Sequence, residues 1–139
     1  MAHLARLPLR PRLALLAALV LGACHPAEPP RAPAATAAAP DPQAARALIA
    51  QGAVVVDVRT PDEFADAHLP QASNVPVDEV PAKLPDIDKL VGGDRARPIV
   101  LYCGSGHRAA KAKAQLDAAG FTHVVNGGGY RDLAPPAQP

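Results

Sequence analysis

The sequence predicts an α/β domain on a mostly parallel sheet, and three stretches carry that expectation. Ala53 to Val58 contains Val54-Val55-Val56, an apolar run without alternation, as in a parallel strand buried on both faces. Ile99-Val100-Leu101-Tyr102, opened by Pro98, is a second such run. Cys103-Gly104-Ser105-Gly106-His107-Arg108 follows it and leads into a stretch where Ala109, Ala112, Leu116 and Ala119 recur at helical spacing. Strand, glycine-rich turn and helix thus succeed one another. The cysteine stands at the carboxyl end of the strand, where open α/β sheets bind ligands.

In chain order, residues 1–23 are expected to lie outside the fold. Arg6, Arg10 and Arg12 precede the apolar run Leu13 to Leu21, which is too short for the roughly twenty residues a membrane span needs. A basic lead, a short apolar core and small residues after it are the marks of a secretory signal. The ending Leu21-Gly22-Ala23-Cys24 resembles the bacterial lipobox, which implies lipidation of Cys24. Residues 24–40, rich in Ala and Pro, read as a tether. A membrane partner through a lipid anchor on Cys24 follows, with the domain facing the periplasm. His25, which is not Asp, tilts the resemblance toward the outer membrane.

The folded domain is expected over residues 41–134, with 135–139 as a tail. Asp41-Pro42 has the form of a helix start, Ala44, Ala45, Leu48 and Ile49 supply an apolar face, and Gly52 ends the helix. After the strand at Ala53 to Val58, Thr60 caps a short helix with Pro61, Asp62 and Glu63 in its first turn. The spacing of Arg59 and Glu63 suits a local ion pair supporting the strand end. Between Val77 and Asp94, Val80, Leu84, Ile87 and Leu90 fit one or two short helices broken at Pro81 and Pro85, before a turn at Gly92-Gly93. Gly120-Phe121 stops the later helix, His123-Val124-Val125 is a strand, and Pro135-Pro136 cuts the last helix short after Leu133.

The hexapeptide has a definite chemical logic. Gly104 and Gly106 permit backbone conformations in which successive N–H groups turn toward one centre. The helix that follows adds its unpaired amino-terminal N–H groups and the positive end of its dipole. Arg108 adds a fixed positive charge with a planar fork of donors. A sulfur at the rim of such a bowl is favoured as thiolate, so Cys103 is the candidate nucleophile and Gly104, Ser105, Gly106, His107 and Arg108 the candidate anion cradle. His107 either donates a proton or only shapes the pocket. Lys111, one turn on, either attracts anions or belongs to a solvated face.

These residues resemble the active loop of the single-domain rhodaneses, sulfurtransferases in which six positions run from cysteine to a basic residue. The resemblance extends to Asp57-Val58-Arg59, to His68-Leu69-Pro70-Gln71-Ala72-Ser73-Asn74-Val75-Pro76, where the family usually has Gly in place of Gln71, and to Asn126-Gly127-Gly128-Gly129-Tyr130, a glycine-containing loop where the family often has Trp in place of Tyr130. It implies a three-layer α/β/α sandwich around a mostly parallel five-stranded sheet. Arg59 and Glu63 then take mainly structural roles; Asp57 is assigned to packing and hydrogen bonding of the nearby loops, and His68 reads as a buried hydrogen-bonding residue rather than a proton shuttle. The implied reaction moves sulfane sulfur from a small anionic donor such as thiosulfate to cyanide or a thiol through a Cys103 persulfide, with no metal and no organic cofactor.

Two other classes remain. One is a persulfide carrier or partner-docking module with incidental turnover. The other is a phosphatase or arsenate reductase on a related scaffold, disfavoured because that loop is one residue longer and follows a histidine, where this chain has Tyr102. The cysteine count fits the first reading: with Cys24 acylated, Cys103 is the sole remaining thiol of the 2, and intramolecular dithiol exchange is excluded. The 14 basic and 13 acidic residues form no basic stripe and aromatics are only 3%, so nucleic acid is not an expected partner.

Overall fold

A computed structural model describes residues 39–134. The expected signal over residues 1–23, the lipidation site Cys24, the tether as far as residue 38 and the tail 135–139 lie outside the described residues. The elements are α1 (Pro42–Ala50), β1 (Val54–Asp57), α2 (Pro61–Asp66), β2 (Ala72–Asn74), α3 (Leu84–Leu90), β3 (Ile99–Cys103), α4 (His107–Ala118), β4 (Val124–Gly129) and α5 (Tyr130–Leu133). The strands lie in the order β2-β1-β3-β4, and every pairing is parallel.

Local chemistry accounts for most boundaries. The Asp41 carboxylate accepts the Ala44 N–H at 2.9 Å to cap α1, whose first turn holds Pro42. At α2 a capping box forms, with the Thr60 hydroxyl accepting from Glu63 N and the Glu63 carboxylate accepting from Thr60 N. Pro85 sits in the first turn of α3 and starts that helix rather than breaking it, since a first-turn residue needs no intrahelical donor.

Side-chain alternation along β3 divides the core into two faces. Ile99, Leu101 and Cys103 point toward α3 and α4, where they pack with Val56, Ile87, Ala112 and Leu116. Val100 and Tyr102 point the other way, into a cluster with Ala45, Val55, Leu69 and Leu133. All five β3 residues are buried, as expected for a central parallel strand. Each fully buried Val or Leu contributes roughly 1.5–3 kcal/mol, so the strand that ends in Cys103 is among the most firmly held parts of the domain.

Two further expectations need correction. Among the described residues the sheet has four strands, not five. The segment before α1 reaches the outer edge of β4 through one bond, Asp41 N to Asn126 O at 2.8 Å. Pro40 and Pro42 on either side lack an N–H, so no ladder grows from it. Next, Asn126 to Gly129, expected as a loop, continues β4. The remaining strand, β2, lies within the stretch after α2, for which no element was named. It is only three residues long and half-buried, too short for a legible period.

Candidate active site

Cys103 is the last residue of β3, and the strand's alternation turns its side chain toward the amino-terminal end of α4. Gly106 adopts φ +89°, ψ −16°, a left-handed conformation that glycine enters without a Cβ clash, and this bend starts the helix. The bend returns the chain over the sulfur, so that the Gly106 N–H donates to Sγ at 3.1 Å. Burial pushes the Cys103 thiol up in pKa. The backbone N–H groups of Ser105, Ala109, Gly106 and Arg108 outweigh that effect, and the net pKa lies below the ordinary thiol value. The sulfur forms the floor of the loop: Cys103 is 1% exposed, whereas Gly104, Ser105 and His107 above it are exposed.

Arg108 does not stand free. Its guanidinium binds the Glu63 carboxylate through two parallel bonds of 2.6 and 2.8 Å, a bidentate pair at the loop rim. Arg108 hydrogen-bonds Glu63 and so pulls its carboxyl pKa down to about 2, while Arg108 itself is raised. The local Arg59–Glu63 pair expected from spacing is therefore absent. Arg59 is held instead by Asp57 at 2.6 Å, with the pair buried beside Tyr102 and Tyr130. Lys111 is paired with Asp78 at 2.7 Å. His107 is exposed, with its Nδ1 3.3 Å from the Ser105 hydroxyl. His68 is exposed rather than buried; it stacks on Phe64 and its Nδ1 lies 2.8 Å from Phe64 O. Beside the loop a cleft of about 250 Å³ opens between Pro40, Ser105, Gly106, His107 and Ala110. Among the described residues no cluster of His, Cys, Asp and Glu is placed to hold a metal.

A strand-end cysteine under converging amides narrows the choice of family, and comparison decides it. The family profile for the rhodanese-like domain matches residues 41–133. The chain belongs to the rhodanese family. It is 33% identical over 81 residues to thiosulfate sulfurtransferase PspE of Escherichia coli (strain K12), covering 58% of this chain and 74% of that protein. It is 35% identical over 89 residues to thiosulfate sulfurtransferase GlpE of Pseudomonas syringae pv. syringae, covering 63% of this chain and 78% of that one. Among solved structures, a rhodanese with anions from E. coli superposes with a TM-score of 0.54 and 32% identity, over 61% of this chain and 95% of its own.

Within this rhodanese domain, supports appear that sequence reasoning missed. Asn126, 2% exposed, donates from Nδ2 to the Gly106 carbonyl at 3.1 Å and accepts the Gly128 N–H at 3.0 Å. It ties the active loop to β4. The only sequence signal was a buriable amide beside a glycine run. Gly129 lies so close to the loop that a Cβ there would stand 2.7 Å from the Gly104 carbonyl oxygen. Tyr102 places its hydroxyl 3.1 Å from the Leu69 N–H, anchoring the loop before β2 to the strand that ends in Cys103. Asn74 donates to the carbonyls of Asp57 and Arg59 at 3.1 and 3.0 Å and closes the neighbouring strand end.

Proposed function

We propose that this rhodanese domain is a sulfurtransferase that carries sulfane sulfur on Cys103. The observation that carries the reading is the ring of backbone N–H groups on Sγ, with Gly106 N at 3.1 Å and a thiol pKa lowered in spite of burial. Such a ring stabilises a thiolate and equally a persulfide anion. The sulfurtransferase relatives supply the reaction class.

The proposed cycle balances without a cofactor. The Cys103 thiolate attacks the outer sulfur of a donor such as thiosulfate, the donor's S–S bond breaks, and sulfite leaves with the electron pair. The Cys103 persulfide then gives its terminal sulfur to cyanide or to a thiolate acceptor, and the Cys103 thiolate is restored. Loop amides hold negative charge at every stage. Gly104, Ser105, Gly106, His107 and Arg108 form the donor's entrance.

Intact mass spectrometry after thiosulfate treatment tests this reading. The expected result is a gain of one sulfur atom, reversed by cyanide and absent in Cys103→Ser. An unmodified chain after every donor overturns it. We also propose that Cys24 is acylated and anchors the domain to the bacterial envelope on the periplasmic side, at the outer membrane. Lipid incorporation in the parent and its absence in Cys24→Ala supports the anchor; equal labelling of the two refutes it.

A further inference from the structure

We propose that Glu63 sets the charge preference for the sulfur donor, turning the site toward singly charged donors and away from doubly charged ones. This inference rests on the sulfurtransferase reading above. It concerns which donor is chosen, not whether sulfur moves.

The argument starts from the cations at the rim. The guanidinium of Arg108 reaches over Gly104, with Nη2 3.3 Å from where a Cβ on that glycine would stand. It places a fixed positive charge at the mouth of the loop. Nη1 and Nη2 each donate one hydrogen bond to Glu63, at 2.6 and 2.8 Å. Glu63 is fixed from behind by the Thr60 N–H and hydroxyl, each 3.1 Å from Oε2. The carboxylate therefore does not swing off when an anion approaches. Lys111, the next cation along α4, is matched in the same way by Asp78 at 2.7 Å. Cation and carboxylate at the rim thus cancel in pairs.

The remaining attraction for an anion comes from peptide dipoles. A helix amino terminus supplies about half an elementary charge. That suffices for one negative charge on the reacting sulfur. A second charge on the donor meets Arg108 and Lys111 already paired with carboxylates, and it faces Glu63. Thiosulfate carries two charges. Methanethiosulfonate has the same outer sulfur and carries one, and its leaving group is methanesulfinate, which departs with the electron pair as sulfite does. The two donors therefore differ in charge while forming the same Cys103 persulfide.

Glu63→Gln is a clean probe because glutamine retains the capping-box geometry at this position. The experiment measures kcat/KM for both donors with the full chain at one fixed pH, at low and high salt. One charge removed from a partly solvated rim several ångströms from the donor should raise the thiosulfate-to-methanethiosulfonate ratio about three- to fivefold, and salt should shrink the gain. A ratio equal to that of the parent, whether both rates fall together or hold, overturns the inference. If Glu63→Gln does not fold, Arg108→Gln provides the reciprocal arm: it leaves the carboxylate unmatched and should lower the ratio by a similar factor, and an unchanged ratio there also overturns the inference. If neither donor loads Cys103 in the parent, the sulfurtransferase reading itself falls. If both load and the ratio does not move, only the role of Glu63 falls.

Discussion

Gly129→Ala puts the active loop under direct mechanical pressure. Gly129 has φ −87° and ψ 154°, an extended conformation open to any residue, so the substitution carries no backbone strain. Its whole cost is steric. The new Cβ would stand 2.7 Å from the Gly104 carbonyl oxygen, 3.0 Å from Asp132 Oδ2 and 3.3 Å from the Gly104 carbonyl carbon, where ordinary contact begins at 3.4 Å. The Asp132 side chain can turn, but Gly104 is backbone and can only be displaced. About 0.7 Å of movement is needed, directly beside Cys103. Overpacking on this scale costs about 1–3 kcal/mol, which the domain should survive. A displacement approaching an ångström at a reacting group costs up to about a hundredfold in rate, so thiosulfate-to-cyanide turnover should fall between roughly ten- and a hundredfold. The Cys103 alkylation profile should move to higher pH as the amides lose their aim. Gly52→Ala is the control. Gly52 has φ +84° with nothing within 4 Å of a Cβ, so it should lose about 1–2 kcal/mol from strain alone and retain parent activity. Parent-like turnover and alkylation in Gly129→Ala, in a folded protein, would refute the claim that loop geometry governs the sulfur.

Three further outcomes are expected. Asn126→Ala leaves the buried Gly106 carbonyl and Gly128 N–H without their side-chain partner; denaturant unfolding should show a loss of about 1–3 kcal/mol, with turnover reduced alongside it. Asp57→Asn removes the charge opposite buried Arg59, with side chains 0% and 8% exposed, and should cost about 3–5 kcal/mol by the same measurement while Cys103 stays reactive in the fraction that folds. Glu63 has a folded pKa of about 2, depressed below its ordinary 4.5 by Arg108, so the pair's stabilisation is present above pH 4.5 and is lost as pH falls toward 2. Because Glu63 is 38% exposed, screening limits the effect to roughly 0.5–1 kcal/mol. The advantage of the parent over Glu63→Gln in unfolding experiments should therefore vanish in acid.

Legibility in the sequence followed distance along the chain. The helix start at Asp41-Pro42, the cap at Thr60, the buried valine strand and the turn at Gly106 all depend on neighbours within a few residues, and each lies where local chemistry put it. The rhodanese resemblance added the sheet and the layer order. Pairings between distant segments stayed hidden. Nothing in the spacing of Arg108 and Glu63, 45 residues apart, announces a bidentate pair. The Asp57–Arg59 pair is the exception: the two stand only two positions apart, yet the spacing favoured Glu63 as the partner. The role of Asn126 depends on β4 passing beside α4, which only the packed sheet reveals. The fifth strand was expected from likeness alone, and two prolines around Asp41 prevent such a ladder among the described residues.

Pro40 lies one position before the stretch that matches the family, residues 41–133, yet its ring would be 2.7 Å from a Cβ on Gly106 and it helps wall the cleft beside the loop. A fragment trimmed to the family boundary would retain Cys103 and its whole loop and lose a buttress of the turn at Gly106. The working edge of this site therefore falls upstream of its recognisable edge, and cloning limits drawn by homology alone would cut through it.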